Sequence, residues 1–210
     1  TIHILPAKSF LDNGLRAIPS VCSGPGIGSG AAMSFEKLNA APMVETPRLI
    51  LRGHTVQDYP DSVAMWSNAD VTRFIGGKPA TAEETWARVL RYAGMWALLG
   101  YGYWLVAEKS TGRFVGEMGF SDHRREMNPG FDGAHEIGWG LVPSAHGKGF
   151  ASETVAAAIA WHDAQFGRMR TACMIAPENA PSIRVATKAG YTQFAQTTYK
   201  GNPTLLFERR

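Results

Sequence analysis

Cysteine is scarce in this chain, which has only Cys22 and Cys173. They lie far apart and show no metal-ligand spacing. A disulfide scaffold and a zinc cluster are therefore disfavoured, and two free thiols in a reducing compartment are expected. An excess of one charge is also missing, because the formal net charge is only +3. DNA binding calls for a clustered basic face, so no DNA partner is expected. No apolar run approaches the ~20 residues of a membrane span. The opening TIHILPAKSF is broken by Pro6 and Lys8 and lacks the apolar region of a signal peptide. No membrane partner is expected, and a cytoplasmic location follows by default. Internal repeats are absent, and low complexity is confined to the glycine-rich Ser23–Met33.

What is present is an ordinary globular composition, 45% hydrophobic and 19% charged over 210 residues, enough for one domain with a sizeable core and some extra length. Ser23–Met33 reads as a flexible linker. Its Gly26-Ile27-Gly28-Ser29-Gly30 misses the G-x-G-x-x-G spacing of a dinucleotide loop and follows no convincing strand. Met33-Ser34 reads as an internal start, which would make the first 32 residues an upstream extension. Residues 1–42 are therefore set apart as extension and linker, and 43–210 as the folded domain.

Within that domain the periodicities alternate between two and about 3.6. Pro47–Thr55 reads as a strand and Asp58–Ala69 as a helix. A second helix opens on a Thr81/Glu84 capping box, shows Trp86, Val89, Leu90, Ala93, Trp96 and Ala97 on one face, and ends at Gly100. Tyr101–Lys109 and Arg113–Ser121 form a hairpin around Ser110-Thr111-Gly112. Asp122–Gly133 is a polar loop, for which solvation is the default. A strand over Ala134–Leu141, a helix over Ala151–Gly167 and a strand over Arg168–Ala176 make one parallel unit. Helix Pro181–Ala189 and strands Tyr191–Tyr199 and Thr204–Arg209 close the chain, with Lys200-Gly201-Asn202-Pro203 as the last turn. The fold class is mixed α/β, a mostly antiparallel sheet of about seven strands with about four helices, in a single domain.

The chain is organised around Ala134–Ala160, where a strand meets His146-Gly147-Lys148-Gly149 and then a helix. A glycine loop feeding a helix start presents unpaired N–H groups and the positive end of a dipole, which is an anion site suited to phosphate. It is not a Walker A loop, because Lys148 is followed by Gly149 and residue 142 is Val. Ser144-Ala145-His146-Gly147-Lys148-Gly149 instead resembles motif A of the GNAT acetyltransferases, Q/R-x-x-G-x-G/A, with Ser144 departing from the first position. Gly147 through Glu153 is similar to the G-x-G-[YF]-A-x-E form of the RimJ/RimL-like ribosomal-protein N-acetyltransferases. Three further segments resemble that subgroup: Thr46–Arg52, Glu136-Ile137-Gly138-Trp139, and the run from Asn179 through Ser182, Val185, Lys188 and Gly190 to Tyr191. The resemblance covers Met43 to about Arg209.

The resemblance implies the GNAT fold, splayed between its fourth and fifth strands, with acetyl-CoA as co-substrate. The reaction it implies moves acetyl to a primary amine, of a protein N-terminus or a small molecule, by direct attack in a ternary complex. His146, Gly147, Lys148, Gly149, Phe150 and Ala151 would cradle the pyrophosphate, and Leu141 and Val142 would flank the pantetheine, an N–H near Leu141 polarising the thioester. Asn179 and Ser182 would touch the cofactor. Glu136 is the candidate base, against the reading of a structural carboxylate. Ser182 is the candidate partner of the leaving thiolate, against that of an ordinary first-turn residue. Many relatives place a Tyr acid where this chain has Ala186. No metal is implied; His135, His146 and His162 form no ligand pattern. Tyr103 and Trp104 read as core more readily than as an acceptor slot. A homodimer is compatible with the subgroup. The competing reading is a catalytically weak CoA-binding sensor of the same fold.

Overall fold

The computed structural model describes residues 40–210; the linker, the internal start and Cys22 lie outside the described residues. Eight strands form one sheet. They are β1 (Val44–Glu45), β2 (Leu49–Arg52), β3 (Tyr103–Glu108), β4 (Phe114–Ser121), β5 (His135–Leu141), β6 (Thr171–Ile175), β7 (Thr192–Tyr199) and β8 (Asn202–Arg209). Their order is β1-β2-β3-β4-β5-β6-β8-β7. Five α-helices accompany them: α1 (Tyr59–Trp66), α2 (Ala69–Thr72), α3 (Ala82–Leu99), α4 (Phe150–Phe166) and α5 (Ala180–Lys188). The mixed, mostly antiparallel single sheet agrees with the reading of the sequence. It has one more strand, the short β1, and one more helix.

The extra helix arises where one helix over 58–69 was expected. Asn68 adopts an extended ψ of 122° and its side chain accepts from the Asp70 N–H, so the chain stops and restarts as α2. An Asn side chain offers the backbone this alternative to continued helix. The α3 capping box forms as expected, and Gly100 ends that helix at φ 77°. Its buried face, however, is Thr85, Val89, Tyr92, Met95 and Trp96, while Leu90 is 53% exposed. Tyr92 rotates the face, because it stacks on Tyr103 with ring centroids 4.5 Å apart. The last turn is shorter than expected. Lys200 and Gly201 alone make it, at φ 49° and 80°, and Asn202 and Pro203 already pair with Tyr199 and Thr198. Two consecutive residues at positive φ match the twist of the strands they join.

Strand parity divides the sheet into two faces. Trp104, Val106, Met118, Phe120 and Ile137 face α4 and pack with Val155, Ala158 and Ile159 in the main core. Each large side chain buried there stabilises the fold by roughly 1.5–3 kcal/mol. On the opposite parity lie Tyr103, Glu117, Glu136, Gly138 and Gly140. A Cβ on Gly140 would meet Met65 and Trp66 of α1, so the glycine lets that helix sit directly on the strand.

The sheet opens in the middle. β4 and β5 pair from Gly116↔Leu141 to Ser121↔Glu136, whereas β5 and β6 pair in parallel only at His135↔Thr171 and Glu136↔Ala172. Beyond Glu136 the two strands part.

Candidate active site

One end of the opening is built from backbone. Pro143–Ala145 forms a 3₁₀ turn in which Ala145 and His146 donate to Val142 and Pro143. Among the described residues, the N–H groups of Gly147, Lys148 and Gly149 have no partner, and Glu153 is the first residue whose N–H returns to Gly149 O, at 3.1 Å. The first-turn N–H groups of Phe150, Ala151 and Ser152 are left over by helix geometry. Gly147 and Gly149 take φ 73° and 78°, a conformation that a side chain would strain. The result is a run of N–H groups at the positive end of a 17-residue helix.

Side chains from far away hold that run in place. Glu153 accepts from Thr46 Oγ1 at 2.6 Å, from Arg48 N at 3.0 Å and from Arg48 Nε at 2.7 Å. Arg48 Nη1 donates to Lys148 O at 2.9 Å. Burial works to raise the Glu153 carboxyl, but the bonds from Thr46 and Arg48 hold it below its ordinary range. The His146 ring donates Nε2–H to Leu141 O at 3.0 Å. Lys148 is exposed, and Phe150 turns its ring into the core.

A cleft of about 970 Å³ lies between β5 and β6 and under α1 and α3, lined on β5 from Glu136 to Gly140. Val142 N donates to Val115 O on β4, and an antiparallel ladder alternates its pointing direction. The N–H groups of Ile137, Trp139 and Leu141 therefore face away from β4, toward the gap. Leu141 itself is buried at 7% exposure. Asn179 and Ser182 line the far wall. Asn179 caps α5, its side chain accepting from Ser182 N at 3.2 Å. Ser182 is thus both a first-turn residue and a cleft residue. Ala186 is fully buried in the main core and is not among the residues lining the cleft, so that position supplies no acid to it.

The other end of the cleft is built from side chains. Glu136 is 7% exposed and its carboxylate is gripped by Arg125, Nε to Oε2 at 2.6 Å and Nη2 to Oε1 at 2.7 Å. Arg125 Nη1 also donates to the Tyr199 hydroxyl at 2.9 Å. Arg125 therefore belongs to the cleft, contrary to the solvated loop expected of residues 122–133; the pull of a buried carboxylate outweighs hydration of the guanidinium. Tyr103 also lines the cleft rather than the core, while Trp104 is fully buried. Burial, with Glu136 adding to it, pushes the Tyr103 phenol up, so it keeps its proton. Burial likewise pushes the Cys173 thiol up, leaving a free but unreactive cysteine in the wall.

Glu117 escaped the reading of the sequence. It is fully buried, accepts from Ser62 Oγ at 2.7 Å and Trp66 Nε1 at 2.8 Å, and lies 3.4 Å from His54 Nε2, a contact too poorly aligned for a hydrogen bond. Burial works to raise its carboxyl, but His54 nearby and the bonds from Ser62 and Trp66 hold it below the ordinary range. The available signal was a lone carboxylate inside the otherwise uncharged strand FVGEMGFS. Behind the sheet, His135 Nδ1 meets His162 Nε2 at 2.8 Å, and His146 stands apart from both. Among the described residues no three His, Cys, Asp or Glu side chains are grouped to hold a metal, and no helix is long and apolar enough to cross a membrane.

A splayed sheet leading to a phosphate-sized backbone cradle, with buried carboxylates beyond it, defines an acyltransferase that draws its acyl group from a coenzyme A thioester. Residues 48–192 match the acetyltransferase (GNAT) domain, and the chain belongs to the GNAT acetyltransferase family. A Bacillus subtilis protein called the uncharacterized N-acetyltransferase YoaA is 28% identical over 155 residues, 71% of this chain and 82% of that one. A GnaT-family acetyltransferase structure from Bordetella pertussis superposes with TM-score 0.73 at 31% identity, over 80% of this chain and 99% of that one. The ribosomal L7/L12 alpha-N-protein acetyltransferase RimL, solved in complex with coenzyme A, shares the fold with TM-score 0.65 at 19% identity, over 80% of this chain and 97% of that one. The protein is thus an N-acetyltransferase, and acetyl-CoA is its co-substrate. The unpaired N–H run at residues 147–152 and the unpaired edge of β5 fit the diphosphate and the amide-bearing arm of that molecule.

Proposed function

We propose that the protein transfers acetyl from acetyl-CoA to a primary amine, on a protein N-terminus or a small molecule, by direct attack with both substrates bound. The observation that carries this reading is the pairing of an unpaired N–H cradle at the head of α4 with the open edge of β5, which leads from Leu141 into the cleft that holds Glu117 and Glu136. In it, Gly147, Lys148 and Gly149 hold the diphosphate through loop N–H groups and Phe150 and Ala151 through first-turn N–H groups, while His146, expected to join them, spends its N–H on Pro143 O and its ring on Leu141 O and so shapes the loop instead. Leu141 and Val142 flank the arm, and Asn179 and Ser182 close the opposite wall. Acetyl-CoA supplies an activated carbonyl. The cleft-facing N–H groups of Trp139 and Leu141 are aimed where its oxygen gains charge.

The amine must be neutral when it attacks. Glu136 keeps its candidacy as base, although Arg125 occupies part of each carboxylate oxygen. Glu117 joins it as a second carboxylate lining the cleft, hydrogen-bonded by Ser62 and Trp66, with His54 3.4 Å away. With both carboxyls strongly solvated by protein donors, proton removal runs through water held by them. Ser182 is the group placed to hydrogen-bond the departing thiolate. Membership of the RimJ/RimL-like subgroup, a cytoplasmic location, a homodimeric state and the division of the chain near residue 43 complete the reading. Trp104 Nε1 donates to Pro42 O at 2.8 Å, so the residue just before that division is already tied to the core.

The test is an acceptor screen with acetyl-CoA over N-terminal peptides, amino acids, polyamines and aminoglycosides. Transfer to one class, together with a rise in melting temperature on adding CoA, supports the reading. CoA binding without transfer to any amine would point to the sensor instead.

A further inference from the structure

α3 brings a guanidinium into the cleft that has no carboxylate to pair with. Arg88 lies over the ring of Trp66, its guanidinium carbon 3.8 Å from the centroid. Its Nε is buried and has no hydrogen-bond partner among the described residues. The neighbouring acids are committed elsewhere. Glu84, one turn earlier on α3, spends its carboxylate on Thr81 N at 2.8 Å, and Glu136 is taken by Arg125. Arg91, three residues on, lines the same cleft. His123, which lines the cleft as well, is pushed down to about 4, by its burial first and then by Arg125, Arg91 and Arg88, so these cations lie close enough to be felt together.

The guanidinium of this half-buried arginine, with its Nε desolvated and unpartnered, gains most from an anion that meets it, and its planar fork suits a carboxylate. The same indole that carries Arg88 on its face donates its N–H to Glu117 Oε2 at 2.8 Å. A positive group and a negative group are thus held across the width of a single tryptophan. Resting on the acetyltransferase reading above, we infer that the acceptor is an amine bearing a carboxylate a few bonds away, such as a free amino acid, with the amine toward Glu117 and the carboxylate on Arg88. The pairing disfavours polyamines, whose second cation would face Arg88.

The experiment compares matched acceptors: amino acids, their primary amides, phosphoethanolamine and spermidine. Each is tested with the full-length wild type, Arg88→Gln and Arg88→Lys. The wild type should favour each amino acid over its amide by about tenfold or more in kcat/KM, the worth of a charge-assisted bond. Arg88→Gln should erase that preference, and Arg88→Lys should restore part of it. Equal rates for acid and amide, a preference for spermidine or phosphoethanolamine, or a preference that survives Arg88→Gln would overturn the inference. Calorimetry with CoA and with the amino acids runs in parallel. If the wild type transfers to nothing, the catalytic reading fails by itself. The inference then stands on tighter amino-acid than amide binding that Arg88→Gln removes, and falls if the two bind alike.

Discussion

The two ends of the cleft are made of different materials. At the head of α4 the ligand-facing groups are backbone N–H donors, exposed because Gly147 and Gly149 turn the chain through positive φ. At the far end they are side chains, Glu117, Glu136, Arg125 and Arg88, each brought by a different element. A backbone site needs only the right local conformation, and it binds any diphosphate presented to it. A side-chain site can be respecified one residue at a time. The family can therefore keep its cofactor and change its acceptor, since the constant and variable parts of the reaction rest on separable structures.

The sharpest way to break the backbone end is Gly147→Asp. A Cβ there meets nothing within 4 Å, so the domain should still fold, with a strain of about 1 kcal/mol from φ 73°. The new carboxylate faces the diphosphate, and CoA affinity should fall on the order of 100-fold, about 2.7 kcal/mol. Gly147→Ala, carrying the same strain without the charge, separates the two effects by calorimetry. If Gly147→Asp binds CoA as well as Gly147→Ala does, the cradle has been misplaced.

The side-chain end breaks differently. Glu117→Gln retains an amide oxygen for one of its two donors but removes the negative charge. It should lower kcat by about 30- to 100-fold, roughly 2–3 kcal/mol in the transition state, with CoA affinity unchanged. Glu136→Gln should lose less rate and more stability, because it leaves the Arg125 guanidinium half-buried without a counter-charge. Chemical denaturation beside steady-state kinetics tells the two carboxylates apart. Equal kinetic losses would mean that they act as one unit.

The same contrast governs what could be read before the structure was known. The α3 capping box, the glycine loop, the Gly100 stop and the hairpins are local, and their residue types announce them. Even the splay was expected from resemblance. The acceptor end was opaque because its partners are distant: Trp66 and Glu117 are separated by 51 residues, and neither carries a periodic signal. Glu136 was named from resemblance and does line the cleft, but nothing in a linear pattern placed Arg125, in a polar loop, across its carboxylate. Tyr92 and Arg88 were missed for a related reason. The aromatic stripe assigned to α3 followed its tryptophans, whereas the tyrosine stack turned the helix.

Acid should also separate the ends. His123 in the cleft and His162 behind the sheet are both pushed down to about 4, by burial first and then by nearby cationic or histidine groups. In the unfolded chain each takes a proton near pH 6.5. Between pH 6.5 and 4 the unfolded state therefore binds protons that the folded state does not, so stability falls as pH falls through that window and is constant above it. Each histidine should cost about 1–2 kcal/mol across the window, after discounting for partial solvent access. His123→Asn should flatten its share in denaturant titrations at pH 7 and pH 5. A wild type equally stable at both would show that neither histidine is held neutral.

The smallest effect tests whether the backbone end is as self-sufficient as its chemistry suggests. Arg48 reaches the cradle from outside it, bonding Lys148 O and Glu153, 100 and 105 residues away in the chain. Its side chain is 49% exposed, so Arg48→Ala should cost only about 0.5–1 kcal/mol in a urea titration. If the cradle depends on glycine conformation alone, CoA affinity will not move. If the clamp from the β1–β2 turn sets the angle at which the loop meets α4, affinity should drop several-fold beyond what the stability loss explains. Thr46→Val, which removes a second bond to Glu153 while leaving Arg48 in place, should then give a smaller drop in the same direction. That outcome would show that even the part of the site made of backbone is aimed by side chains brought from the β1–β2 turn, and it would account for Thr46, Arg48 and Glu153 occurring together with the glycine loop.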